Sequence, residues 1–136
     1  MRQNHPSYPQ VALDFMNRDH EEFAALRGKL LDLIDSGTAD AIDGLLDELQ
    51  RHTVRHFADE EKAMQEAGFP VYAVHKGEHD AVLVDMAARI EGWRRERDIA
   101  VLRDWLDAAV GEWFVSHVSS MDTVTAGFIA AQRQRS

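Results

Sequence analysis

Prolines stand only at Pro6, Pro9 and Pro70, so residues 11–69 and 71–136 run without the residue that removes a backbone donor and breaks a helix. Glycine is sparse, and no segment alternates β-branched and polar residues with the two-residue period of a strand. What recurs is a spacing of three and four. Leu13, Met16, His20, Phe23, Leu30 and Ile34 mark a first stripe, stopped by Gly37 in SGTAD, where Thr38 or Asp40 can cap the next helix. Ile42, Leu45, Leu49, Thr53, His56, Glu60 and Met64 mark a second, stopped by Gly68 and Pro70. His75, His79, Val82, Met86 and Ile90 mark a third, and Ile99, Leu102, Leu106, Ala109, Trp113 and His117 a fourth.

These stripes predict helices over about 13–35, 38–67, 71–93 and 98–122, each roughly 30 Å or longer. Connections of a few residues make consecutive long helices run antiparallel. The expected fold is therefore all-α, an antiparallel up-down-up-down four-helix bundle with a central site. One domain is expected over 1–136, with an N-terminal arm at 1–12, a bundle core at 13–122 and a C-terminal extension at 123–136. The final AAQRQRS is expected to be less ordered, and Tyr8 in the arm stands where it can pack on the bundle.

Fifteen basic against twenty-four acidic residues give a formal charge of -9, which opposes binding to nucleic acid or anionic lipid. No apolar run reaches the roughly 20 residues that span a bilayer, and MRQNHPSYPQ lacks the order of a secretory signal, so a cytoplasmic location is expected. Zero cysteines exclude disulfides, thiolate nucleophiles and sulfur-ligated metals. Metal chemistry here must use nitrogen and oxygen.

Such ligands stand in the stripes. A bundle core tolerates few ionisable groups, because a buried charge needs a partner and an imidazole needs one for each nitrogen. Yet His20, His56, Glu60, His75, His79 and His117 occupy core register. His56 and Glu60 lie one helical turn apart, as do His75 and His79. In an antiparallel bundle His20, Glu60, His79 and His117 fall toward the same end, within about two turns of one another. Nitrogen-rich ligation suits iron, cobalt, copper or zinc better than magnesium or calcium.

In NRDHEEF, HFADEE, HKGEH and WFVSHVSSMD, across residues 17–122, the chain resembles the hemerythrin-like domain family, in particular its single-domain bacterial members. The resemblance adds Asp122. Its separation of five from His117 turns it about 140° on an ideal helix, so periodicity does not select it, although a widened last turn would bring it round. Five imidazoles and two carboxylates exceed a tetrahedral site and suit two six-coordinate ions sharing both carboxylates and a small oxygen bridge, with one position open.

The resemblance implies two iron ions (Fe2+/Fe3+) with an oxo or hydroxo bridge, and reversible binding of dioxygen for carriage, storage or sensing. Glu60 and Asp122 would bridge, His75, His79 and His117 would complete the saturated iron, and His20 with His56 would hold the iron with the open position. The alternative is an enzyme using that position as a peroxidase, oxidase or nitric-oxide-handling protein. The ligand is in either case dioxygen, another small diatomic or a peroxide. A third reading is a structural staple, such as zinc. Trp113 and Phe114 would line the oxygen pocket; the family commonly has leucine where Phe114 stands, and often an N-terminal tryptophan where this chain offers Tyr8.

Other polar residues take blander readings. His52 is read as a partly exposed helix residue with a spare-ligand or orienting role as the alternative, and His5 as a non-metallic residue of the arm. Asp59, Glu61, Glu22 and Glu66 read as solvated face, and Met16, Met64, Met86 and Met121 as packing. Asp19 and Glu78 are candidates for orienting imidazoles, without assigned partners.

Overall fold

The computed structural model describes residues 8–37 and 39–135. Thr38 and His5 lie outside the described residues. Within them the chain is an all-α bundle of four helices without strands. They are α1 (Asp14–Ser36), α2 (Ala39–Ala67), α3 (Tyr72–Glu96) and α4 (residues 99–135). None is long and apolar enough to cross a membrane.

The stops follow from backbone chemistry. Gly37 ends α1 in the left-handed region, φ 79°, where its N–H reaches the free carbonyls of Leu33 and Ile34. Arg97 ends α3 at φ 54°, a conformation uncommon outside glycine. Its guanidinium meets both oxygens of Asp43 at 2.7 and 2.9 Å and lies 4.6 Å over the Trp93 ring, which holds the corner. Asp98 then caps α4 by accepting from the N–H of Val101.

α4 departs from expectation twice. It does not stop at Asp122 but stays helical through Thr123–Arg135, with Thr125, Ala126 and Ile129 buried. It also contains two π-type wide turns, Trp105–Val110 and Val118–Asp122, through which the backbone remains right-handed helical. A wide turn frees carbonyls, and each set finds a donor. Arg27, buried in α1, donates from Nε to Leu106 O at 2.8 Å and from Nη2 to Asp107 O at 2.9 Å. Thr123 Oγ1 donates to Val118 O at 2.7 Å. The first wide turn shifts the helix phase, so Trp105 and Val110 face inward while Ala109, expected in the stripe, is exposed; Ile99, also expected there, is exposed at the first position of α4, ahead of the wide turn.

Apolar packing falls into two blocks, and their order along the helices places the site. One contains Leu13 and Met16 of the first stripe, Ala63, Met64, Phe69, Ala126 and Ile129. The other contains Phe23 through Ile34, Ile42 through Leu49, Met86, Ile90, Trp93 and α4 up to Val118. On α1, α2 and α4 the buried histidines stand between members of the two blocks in the chain; on α3 they stand between Phe69 and Met86. The polar layer is thus sandwiched between two apolar ones, where water is excluded and every charge needs a partner.

Candidate metal centre

All seven side chains marked in the sequence meet in this layer. His20 comes from α1, His56 and Glu60 from α2, His75 and His79 from α3, and His117 and Asp122 from α4, all buried. Their ligand atoms form two sets, each within 4.8 Å: Glu60, His75, His79, His117 and Asp122 in one, His20, His56, Glu60 and Asp122 in the other. Glu60 and Asp122 belong to both.

The carboxylate oxygens divide accordingly. Glu60 Oε1 lies 3.1 Å from His79 Nε2 and 3.6 Å from His75 Nε2, whereas Oε2 lies 2.8 Å from His56 Nε2. Asp122 Oδ1 lies 3.2 Å from His75 Nε2 and 3.1 Å from His117 Nε2, whereas Oδ2 lies 2.9 Å from His20 Nε2. Each carboxylate offers one oxygen to the three-histidine side and the other to the two-histidine side.

The second wide turn makes this possible. An ideal helix would carry Asp122 about 140° away from His117; the extra residue per turn in Val118–Asp122 brings it back.

Four of the five imidazoles are aimed by a partner on Nδ1. His56 is held by Asp19 Oδ2 at 2.7 Å, His79 by Glu61 Oε2 at 2.9 Å, His117 by Glu78 Oε1, and His75 by Thr125 Oγ1 at 2.8 Å. Carboxylates only accept, so Nδ1 of His56, His79 and His117 carries a proton, leaving Nε2 to face the centre. Glu61 is therefore an orienting residue with its side chain only 18% exposed, correcting its reading as solvated face. Thr125 went unmarked in the sequence because it lies beyond the expected end of α4. Glu22 remains exposed and pairs with His52 Nε2 at 3.0 Å. His52 is more enclosed than expected, its side chain 9% exposed, but belongs to neither ligand set.

Opposite charges in this layer hold one another ionised against burial. Burial alone would lower the His56 pKa, but the Glu60 charge and the hydrogen bonds to Asp19 and Glu60 reverse this and hold it up at about 10. Burial likewise opposes the charge on Asp122, yet contacts from His117, His20 and His75 hold its carboxyl well below the usual carboxylate range. Glu60 is lowered against burial too, chiefly by His56.

A cation fits this arrangement on one observation. His79 Nε2, both oxygens of Glu60 and Asp122 Oδ1 are buried without a properly aligned hydrogen-bond partner, although other polar atoms stand only about 3 Å away. Ligand atoms gathered within 4.8 Å of one another but not aligned as donor to acceptor suit a shared cation. Exposed acidic groups commonly stand together without an ion, but every member of these two sets is buried.

Beside the two-histidine side is a cavity of about 20 Å3, bordered by His20, His56, Phe23, Phe57, Trp113 and Phe114 among others. That is room for roughly one water-sized ligand. Phe114 closes it, stacked on Phe23 at 4.9 Å, edge-on to His20 at 5.8 Å and covered by Tyr8 at 4.9 Å. The aromatic arm residue thus packs where expected. Trp113 stacks on the His117 ring at 4.8 Å, and Phe57 on His79 at 3.8 Å.

Comparison with known proteins agrees with this geometry. A bacteriohemerythrin of Aquifex aeolicus (strain VF5) is 32% identical over 112 residues, covering 82% of this chain and 86% of that protein. One of Methylococcus capsulatus (strain ATCC 33009 / NCIMB 11132 / Bath) is 30% identical over 117 residues, covering 86% and 88%. A crystal structure of a hemerythrin mutant superimposes with a TM-score of 0.74 at 25% identity, covering 88% of this chain and 89% of that one. The profile of the hemerythrin HHE cation binding domain matches residues 11–129, nearly the whole chain, and the protein belongs to that family.

Proposed function

We propose that this protein binds dioxygen reversibly at a pair of iron ions held by His20, His56, Glu60, His75, His79, His117 and Asp122. The observation that carries the reading is the division of the carboxylate oxygens, one from each to either histidine set. Two shared carboxylates between three and two imidazoles make a five-donor position and a four-donor position in one layer. The short connections between long helices support an antiparallel up-down-up-down order, which brings these seven residues to one level. A ferrous pair held by these residues would supply two electrons to a bound ligand.

The chain's own residues do the rest. Asp19, Glu61, Glu78 and Thr125 each hold a histidine Nδ1, so the imidazoles present Nε2 without reorganisation. Phe23, Phe57 and Phe114 line the ligand cavity with apolar surface, keeping water and its protons from a bound ligand. The cavity volume of about 20 Å3 favours a diatomic ligand over an organic substrate, and so favours carriage, storage or sensing over oxidation of larger molecules.

The test is the absorption spectrum of the anaerobically reduced protein before air, after air and after evacuation. An oxygenated form that returns to the starting spectrum under vacuum is expected. Rapid conversion to the ferric form with consumption of hydrogen peroxide would assign the site to catalysis instead.

A further inference from the structure

A second cavity, of about 330 Å3, opens between α3 and α4, and none of the seven side chains of the metal layer lines it. It falls at the small end of the size range of organic-ligand sites. Phe23, Trp105 and Trp113 provide aromatic walls, and Met86 adds an adaptable thioether. The charged residues lining it are Glu78 and Asp85, with no lysine, arginine or histidine among its lining residues. Asp85 shares its charge with Arg89 at 3.5 Å, and Glu78 accepts from His117 Nδ1.

We propose that this cavity binds a small organic ammonium compound, its apolar body against the three aromatic rings and its cationic head near Glu78 and Asp85. Apolar area removed from water supplies the affinity, and the ring faces favour a cation. The two carboxylates set the choice of charge, since both belong to the lining while their basic partners, Arg89 and His117, stand outside it. The cavity also reaches the metal layer through its walls. Glu78 orients His117, and Trp113 stacks on the same imidazole with the ring planes 20° apart. A cation beside Glu78 draws on the acceptor that His117 uses, so occupancy of the cavity and of the metal layer are coupled, with the same factor in both directions.

The cavity walls belong to the fold, so probe binding is measurable with or without iron and the two readings fail separately. The experiment is a calorimetric titration of the full-length protein, its metal content measured on the same sample, with benzylammonium, benzyl alcohol and benzoate at one ionic strength. Benzylammonium should bind about two- to fivefold more tightly than benzyl alcohol, with benzoate weakest. Asp85→Asn should reduce the preference for the cation while leaving benzyl alcohol unchanged. Ala81 and Ala109 line the cavity from exposed positions, so Ala81→Phe or Ala109→Phe can fill it without touching the buried core. Each should weaken all three probes roughly tenfold with the helical signal intact. Benzoate binding as tightly as benzylammonium, no binding of any probe, or undiminished binding in both filled variants would overturn the proposal.

Discussion

Asp122 follows His117 by five residues, yet its Oδ1 lies 3.1 Å from His117 Nε2 while its Oδ2 reaches His20 on α1. The relation exists because α4 widens over Val118–Asp122, with Thr123 Oγ1 taking the carbonyl of Val118 that the wide turn frees. A wide turn inside a long helix is a local cost, accepted here at the point where two histidine sets need a common acceptor.

Replacing Asp122 by alanine should therefore do more than remove one ligand. His20, His75 and His117 would all lose their shared carboxylate, and bound iron should fall below one ion per chain by elemental analysis. Two ions per chain in Asp122→Ala would show that the carboxylate is not shared.

Thr125→Val keeps the shape of the side chain but removes the hydroxyl beside His75 Nδ1, 2.8 Å away. Metal affinity, measured by competition with a chelator, should drop about 10- to 100-fold with helicity unchanged. An unaltered affinity would reduce Thr125 to a packing residue.

Protons compete with metal here. With its pKa at about 10, His56 is charged at neutral pH in the metal-free protein and must lose a proton to act as a ligand. Metal uptake at pH 7 should therefore release at least one proton per chain, seen as a dependence of calorimetric heat on buffer ionisation enthalpy. The sign for folding follows from the same shift. A raised histidine pKa contributes stability that is complete below about 6.5 and disappears as pH rises through about 10. The lowered carboxyls of Glu60 and Asp122 contribute in the opposite sense, present above the ordinary carboxylate range and lost as pH falls. Urea unfolding of the metal-free protein should show a maximum between these limits, and a monotonic rise toward alkaline pH would contradict it.

Arg27 anchors the other wide turn, and Gly111 leaves room for it. A Cβ on Gly111 would stand 2.7 Å from Arg27 Nη2. Arg27→Met should cost about 2–4 kcal/mol in urea unfolding, because the carbonyls of Leu106 and Asp107 lose a buried charged donor. Gly111→Ala should cost about 1–3 kcal/mol by displacing the same guanidinium. If both variants unfold like the parent protein, the wide turn does not depend on this contact.

The sequence made the bundle and most of its polar layer readable because both depend on one period. Apolar stripes of period three and four give the helices, and imidazoles inside those stripes give the site, since nothing else places five histidines in core register. Periodicity failed where the helix itself changed pitch. Ala109 turned outward because the phase slips at Trp105–Val110, and Asp122 could be selected only by resemblance. The orienting residues were less legible for a different reason. Glu61 and Glu78 stand at helix positions where a carboxylate can meet water or a neighbouring histidine, and only the packing of the opposite helix decides. Arg27 carried no signal, since a cation in a first-helix stripe has meaning only once the freed carbonyls it meets are known.

The most direct measurement is an anaerobic titration of the metal-free protein with ferrous iron, followed by the ligand-field and near-ultraviolet absorption of the filling site. Two shared carboxylates between a five-donor and a four-donor set predict a break at two iron ions per chain. A break at one, or saturation unaffected by Glu60→Ala, would contradict the account.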